Sequence, residues 1–180
     1  MSKRAKVILA ALIAVGTICL AIGVYGITQQ SETVAAPTEE SLIPKFEAGP
    51  APAIVGTTLT GEPFDLATYR GTPVVLNFWA SWCGPCRKEL PAIAAFAKAH
   101  PEIAVIGVDY QDNIAEAKAF AAKHGATWPS VVDDGPIGAA YKVPGLPATF
   151  LIDAQGQLVD RILGEVTEEM LEAKVPELTS

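Results

Sequence analysis

The sequence predicts an α/β domain, a mixed sheet flanked by helices, preceded by one N-terminal transmembrane helix. Three observations carry that prediction. A charge-free apolar block lies near the N-terminus, a β-branched and aromatic run at 74–79 leads straight into a helix-forming segment, and apolar runs alternate with helical patterns from there to the C-terminus.

The apolar block runs from Val7 to Ile27, with Thr17 and Tyr25 as its only polar-tipped side chains. At about 1.5 Å rise per residue, a helix of that length spans the roughly 30 Å hydrocarbon core. It exceeds the secretory h-region of about 7–15 residues. Lys3, Arg4 and Lys6 precede it, and beyond it Lys45 is the only base before Arg70, among Glu32, Glu39, Glu40 and Glu47. The positive-inside rule then makes residues 1–6 a cytoplasmic basic N-terminus and residues 7–27 a single-pass anchor in the cytoplasmic membrane. Everything after Ile27 is expected on the extracytoplasmic side. A cleaved leader, with Val34-Ala35-Ala36 as a poor cleavage site, is the competing reading, and a buried core helix is disfavoured at this length and position. Cys19 reads as an apolar membrane residue, because Ile18 stands where a lipoprotein site needs a small one.

Residues 28–47 are rich in Thr, Ser, Glu, Gln and Pro and read as an extracytoplasmic linker, and 48–180 as the folded domain. The chain carries a net charge of −7, and the part beyond Ile27 has 10 bases against 20 acids. That balance argues against nucleic-acid binding, which needs a basic face.

Within the domain, regular structure is expected from Ala53. Ala53–Leu59 reads as a strand, Thr60-Gly61-Glu62 as a turn and Pro63-Phe64-Asp65 as a short return. Gly71-Thr72-Pro73 releases Val74–Trp79, apolar on both faces except at Asn77, as a central buried strand requires. Gly84–Ala99 reads as a helix with Leu90, Ile93, Ala94 and Ala97 on its apolar side and a kink expected at Pro91. Ile103–Val108 is a second buried strand, and Asn113 with Glu116 suggests a capping box opening a helix to His124. Val131-Val132 reads as a short strand and Ile137–Tyr141 as a short helix. Thr149–Ile152 and Leu158–Ile162 form antiparallel strands around Ala154-Gln155-Gly156, and Thr167 caps a final helix. The order β-α-β-α-β-β-α calls for a mixed sheet with helices on both faces.

Trp82-Cys83-Gly84-Pro85-Cys86 follows the predicted central strand and opens the first helix. At a helix N-terminus, unpaired N–H groups and the macrodipole favour an anion, so the Cys83 thiol should ionise below its free pKa of about 8.5. The thiolate is the attacking species in disulfide exchange. Cys86, one turn on, can resolve a mixed disulfide; Gly84 clears the approach, and Pro85 suits a first helical turn. A purely structural bridge here would close a tiny loop and remove little chain entropy. Zinc needs four ligands, and His100 and His124 are far off in sequence. A c-type haem site needs His after the second Cys, where Arg87 stands.

The run Phe78-Trp79-Ala80-Ser81-Trp82-Cys83-Gly84-Pro85-Cys86-Arg87-Lys88-Glu89 resembles the thioredoxin superfamily, and within it the anchored extracytoplasmic TlpA, ResA and CcmG group. The resemblance covers about Ala48 to the C-terminus and includes 107–112, 143–153 and Gly156. It implies a thioredoxin-like sheet and a thiol–disulfide oxidoreductase whose redox group is the Cys83–Cys86 disulfide, with no other cofactor and no metal. It implies that Pro147 is a cis-proline beside the redox pair, that the Leu146 backbone pairs with an incoming extended polypeptide, and that Glu89 is an active-site glutamate. A plain strand-entry proline and a solvated helix glutamate are the respective alternatives. A carboxylate there would raise a thiol pKa or accept a proton from Cys86. Asn77 departs from the buried aspartate of cytosolic thioredoxins, which leaves Glu89 as the substitute proton route. Trp79 and Trp82 are expected to pack around the site's rim, Trp128 to pack in the core or surface, and His100 and His124 to cap helix ends.

The resemblance implies a reductant of exported disulfide-containing proteins, apocytochrome c with its Cys-x-x-Cys-His segment among them, supplied with electrons by a membrane thiol transporter. Gly84-Pro85 matches strongly reducing thioredoxins. An oxidase or isomerase on the same fold is the alternative direction. A copper-binding assembly factor is the alternative class, poorly supported with Met170 alone near the C-terminus and no histidine near Cys86.

Overall fold

The computed structural model describes residues 46–179; the expected anchor at 7–27 and all but the last two residues of the expected linker lie outside them. Among the described residues no helix is long and apolar enough to cross a membrane.

The sheet is built outward from β4 (Val74–Trp79), every residue of which is buried, as its apolar run predicts. β5 (Ala104–Tyr110) lies parallel to it on one side and β7 (Ala148–Ile152) antiparallel on the other. β6 (Ser130–Asp133) extends the sheet parallel to β5, and β8 (Gln157–Leu163) extends it antiparallel to β7. A two-residue β1 (Gly49–Pro50) closes the edge on β8, giving the order β1-β8-β7-β4-β5-β6. The period-2 alternation of β4 splits its contacts between two layers. Leu76 and Phe78 point to one face with Ile106, Val108 and Phe150, and Val75 and Trp79 to the other.

Helix α1 (Gly84–Ala99) covers that second face with a stripe of Cys86, Glu89, Leu90, Ile93 and Phe96, spaced at helical period. The helix runs unbroken past Pro91. Burying each large apolar side chain of the stripe contributes about 1.5–3 kcal/mol, which fixes the helix and its N-terminus against the end of β4. The stripe also contains Cys86 and Glu89, which the apolar pattern alone does not reveal.

Several elements differ from the sequence reading for local reasons. Regular structure starts at Gly49 rather than Ala53, because β1 is too short to show alternation and its proline is tolerated at a sheet edge. The expected strand 53–59 narrows to β2 (Val55–Thr57), paired with β3 (Pro63–Asp65) in a separate two-stranded sheet. Beyond it the Leu59 N–H donates to the Ser130 carbonyl at 2.7 Å, tying the hairpin to the main sheet. A 3-10 turn at Leu66–Tyr69, capped by Asp65, was not anticipated.

Helix α2 (Ile114–His124) is capped by Asn113 as expected, its side chain accepting from the N–H groups of Ala115 and Glu116. The reciprocal contact comes from Asp112, which accepts the Asn113 N–H at 2.7 Å, rather than from Glu116. Asp133 anchors α3 (Pro136–Ala140) by accepting the N–H groups of Gly135, Ile137 and Gly138. Thr167 caps α4 (Glu168–Glu172) as predicted, but a second short helix, α5 (Val175–Leu178), follows, with Pro176 in its first turn.

Candidate active site

Cys83 is the N-cap of α1, and its Sγ accepts the Cys86 backbone N–H at 3.2 Å. The two cysteines are joined as a disulfide, with Cα atoms 5.3 Å apart. In the reduced protein that same N–H and the helix dipole face the Cys83 sulfur, which favours its thiolate. Cys83 keeps 4 % of its surface exposed and Cys86 none, so Cys83 is the outer sulfur. A Cβ on Gly84 would meet nothing within 4 Å, so glycine leaves open space beside the bridge.

Glu89 is buried, which excludes the solvated alternative. One carboxylate oxygen accepts from Asn77 Nδ2 at 2.9 Å and the other from the Val166 N–H at 3.1 Å. Asn77 also donates to Thr149 Oγ1 at 3.1 Å, so β4, β7 and α1 meet at this carboxyl. Burial raises the Glu89 pKa, the Asn77 and Val166 hydrogen bonds pull it down, and the Glu165 charge adds to the rise, leaving it at about 7. Such a group exchanges a proton readily at neutral pH. Asparagine thus stands as hydrogen-bond donor to the substitute carboxyl rather than as a titrating group itself.

The Leu146–Pro147 peptide bond is cis. Register places Ala148 opposite Phe78, so Pro147 sits one residue beyond the last pair, at the end of β4 from which the Trp82–Cys83 turn departs. Leu146 packs against the cluster that contains Cys83, Cys86, Trp79 and Leu90. Trp79 and Trp82 part company. Trp79 is buried and stacked on Phe120 at 5.4 Å, whereas Trp82 is 60 % exposed and donates its Nε1–H to the Gln111 carbonyl at 3.2 Å. Trp128 is half-buried and packs against both clusters of the α1 face. His100 is the C-cap of α1 and His124 the last residue of α2, as their positions predict.

Sequence reasoning missed the loop that holds the Cys83 turn. The Ser81 N–H and Oγ–H both donate to Asp112, at 2.5 and 2.9 Å, beside the Trp82–Gln111 bond. Gln111 itself has φ of 49°, a left-handed conformation uncommon for a non-glycine residue. The signal available was Asp112 directly before the Asn113 cap, which looked like part of the helix start alone.

A buried cysteine bridge at a helix N-cap, a cis-proline at the end of the adjoining strand and a central mixed sheet define a thioredoxin-like site for thiol–disulfide chemistry. The chain belongs to the AhpC/TSA family, whose profile matches residues 47–161. It is 36 % identical over 132 residues to the thiol–disulfide oxidoreductase ResA of Bacillus anthracis, covering 72 % of this chain and 76 % of that one. It is 34 % identical over 127 residues to the soluble secreted antigen MPT53 of Mycobacterium bovis, covering 69 % and 73 %. Among solved structures it is similar to a secreted Mycobacterium tuberculosis disulfide oxidoreductase homologous to E. coli DsbE, with TM-score 0.65, 31 % identity, and coverage of 69 % of this chain and 96 % of that one. The chain is accordingly an enzyme of the thiol–disulfide oxidoreductase class.

Proposed function

We propose that this chain is a membrane-anchored reductant that works on the extracytoplasmic side of the cytoplasmic membrane on disulfides of exported proteins, the Cys-x-x-Cys-His segment of apocytochrome c among them. The observation that carries the reading is the Cys83 sulfur at the N-cap of α1, facing the Cys86 N–H and bridged to Cys86. The anchor rests on the apolar block at 7–27 and the basic residues before it. A secreted relative and a DsbE-homologous structure support the compartment.

The Cys83 thiolate attacks one sulfur of the client disulfide, forming a mixed disulfide and releasing the client's other sulfur as a thiol after it takes up a proton. Cys86 then gives its proton to Glu89 and attacks Cys83 Sγ. The enzyme disulfide closes, and the second client sulfur leaves as a thiolate that takes up the proton held by Glu89, so the client gains two electrons and two protons. The Cys83–Cys86 pair is the redox group, and a membrane thiol transporter returns its disulfide to the dithiol with two electrons and two protons. Trp82, exposed beside Cys83, and Leu146 with Pro147 form the client-facing rim. Among the described residues the Leu146 N–H and C=O carry no backbone partner, leaving them available to an extended chain.

The test is the reduction potential of the full-length protein in detergent, equilibrated in dithiothreitol and glutathione buffers and read by thiol alkylation. A value more negative than about −230 mV fits a reductant fed from the cytoplasm; one near −120 mV, about that of a strong oxidant, reverses the direction. In Cys86→Ser, Cys83 should remain trapped in a mixed disulfide with its client, which identifies that client directly.

A further inference from the structure

Beyond Trp79 the sheet no longer supports the chain that carries the nucleophile. The pairing of β4 ends opposite Asp109 of β5 and Ala148 of β7, and α1 begins only at Gly84. The residues between, Ala80 to Cys83, are drawn into a turn by the Cys83 N–H, which donates to the Ala80 carbonyl at 3.1 Å. Ala80 and Cys83 pack inward, whereas Ser81 is half-buried and Trp82 exposed. Packing therefore fixes the ends of this turn better than its middle.

The middle is held from the β5–α2 loop. Both donors of Ser81, its N–H and its hydroxyl, end on the Asp112 carboxyl, one on each oxygen, at 2.5 and 2.9 Å. The Trp82 indole ends on the Gln111 carbonyl at 3.2 Å. The loop is itself anchored at both ends. Gln111 donates its N–H to the Asp133 carbonyl of β6 at 2.7 Å, and Asp112 accepts the Asn113 N–H at the start of α2. A carboxylate that accepts both donors of one residue fixes its backbone and its side chain together. Hydrogen bonds to a charged acceptor are also about twice as strong as neutral ones.

Cys83 lies two residues beyond Ser81, and its reactivity depends on where this turn delivers it. Its sulfur stands 3.2 Å from the Cys86 N–H at the N-terminus of α1, where the helix dipole favours a thiolate. We propose that Asp112 is a positioning residue of the reaction: it holds Ser81 so that the turn sets the Cys83 sulfur on the helix N-terminus. Asp112 acts here by geometry, and its charge alone would act in the opposite sense. A carboxylate near a thiol raises the thiol pKa, whereas holding the sulfur at the N-cap lowers it. The inference rests on the reading of Cys83 as the attacking thiol.

The test is the pH profile of Cys83 alkylation by iodoacetamide in the reduced full-length protein in detergent, with peptide mass mapping to separate Cys83 from Cys86 and Cys19. The charged and titratable groups on the elements around Cys83 are Arg87, Lys88 and Glu89 of α1, Asp109 of β5, and Glu165, which faces Lys88 at 4.0 Å. Ser81→Ala leaves all of them, and Asp112, in place. It removes one of the two Ser81 bonds, so the Cys83 midpoint should rise and alkylation below it should slow about two- to threefold. Asp112→Ala removes both bonds and should slow it about three- to tenfold, the size of a thiolate's stabilisation at a helix end. Adding Ser81→Ala to Asp112→Ala should slow it no further, because the two changes remove the same contact. Ser81→Thr keeps a hydroxyl and Asp112→Asn keeps an accepting oxygen, so each should stay within about twofold of the parent. Ser81→Ala, at a half-buried position, carries the test should Asp112→Ala fail to fold. A midpoint that falls in Asp112→Ala would mean that its charge dominates. A Ser81→Ala profile superimposed on the parent's would mean that the hold on Ser81 does not reach the sulfur. Either result overturns the inference alone. Faster alkylation mapped to Cys86 in the parent would overturn the assignment of Cys83, and the inference with it.

Discussion

Glu89 and Asp109 are both buried carboxyls on the α1 face of one sheet, each with a pKa near 7, and they reach it by different routes. Glu89 is held by two donors, Asn77 Nδ2 and the Val166 N–H, which lower its pKa against the burial that raises it. Asp109 has no such donor among the described residues, and burial first, then the Asp112 charge, raises its pKa. The difference separates a carboxyl the fold supports in either protonation state from one it tolerates only as the acid. The first fits the proton relay proposed for Glu89; the second is a carboxyl whose ionisation places an unpaired charge in the core.

The sharpest way to break this comparison is to replace both carboxyls by apolar residues of similar size. Glu89→Leu strands the Val166 N–H and one hydrogen of the Asn77 amide inside the protein. Each unsatisfied donor costs about 1–3 kcal/mol, so a loss of about 2–6 kcal/mol is expected at pH 5. Asp109→Val removes a group that no donor holds, places a β-branched residue in a strand, and should leave stability within about 1 kcal/mol of the parent or above it. Urea denaturation of the oxidised proteins measures both. Equal destabilisation would mean that Asp109 is held by donors as Glu89 is, and the contrast would collapse.

The next effect is a pH slope that the two carboxyls share. Both pKa values are raised in the folded state, from 4.5 for Glu89 and from 3.8 for Asp109. Between those values and about 7 the folded protein binds more protons than the unfolded chain, so stability falls as pH rises through that window and levels off above it. The drop is on the order of 3 kcal/mol for Glu89 and 4 kcal/mol for Asp109. Glu89→Gln and Asp109→Asn should each flatten the curve between pH about 4.5 and 7.5 relative to the parent, and the double variant should flatten it further. A parent and variants with parallel curves would show that neither carboxyl titrates in the native state near neutrality.

Much of this was legible in the sequence because it depends on neighbours along the chain. The apolar run 74–79, the Cys-x-x-Cys directly after it and the helical spacing beyond it dictate a strand, an N-cap cysteine and a buried stripe within one stretch of chain. The elements that escaped lack such local signals. β1 is a two-residue pairing with β8, and the break before α5 lies in a segment helical on both sides. At the site, Glu89 and Asn77 were noticed, but the Val166 N–H that completes the pair comes from 77 residues away in sequence. Asp109 lay inside a motif already marked by resemblance, yet its character is an absence of donors, and only packing reveals an absence. Asp112 was hidden by ambiguity, since an acidic residue before an Asn cap already has a local reason to be there.

The smallest expected effect sharpens the comparison from outside the site, with a group that gains charge stability on folding. His100, at the end of α1, places Nδ1 2.9 Å from Glu102 and Nε2 2.8 Å from Glu172 of α4, with its ring 4.7 Å from that of Phe96. The hydrogen bonds to Glu102 and Glu172 raise its pKa above the usual 6.5. Its contribution is therefore fully present below the unfolded pKa and lost as pH rises through the folded one. Stability falls with pH here as it does for the carboxyls, but because the folded state favours the charged imidazolium rather than the neutral acid, and in a higher window. His100→Gln, which keeps a hydrogen bond and loses the charge, should be less stable than the parent at pH 5.5 by no more than about 1 kcal/mol, as part-exposed ion pairs are, and should converge on it as pH rises through the folded-state pKa. The Cys83 alkylation profile should not change. A gap that stays constant with pH would assign His100 to packing on Phe96 rather than to its charge, and a gap that widens would reverse the sign of its linkage.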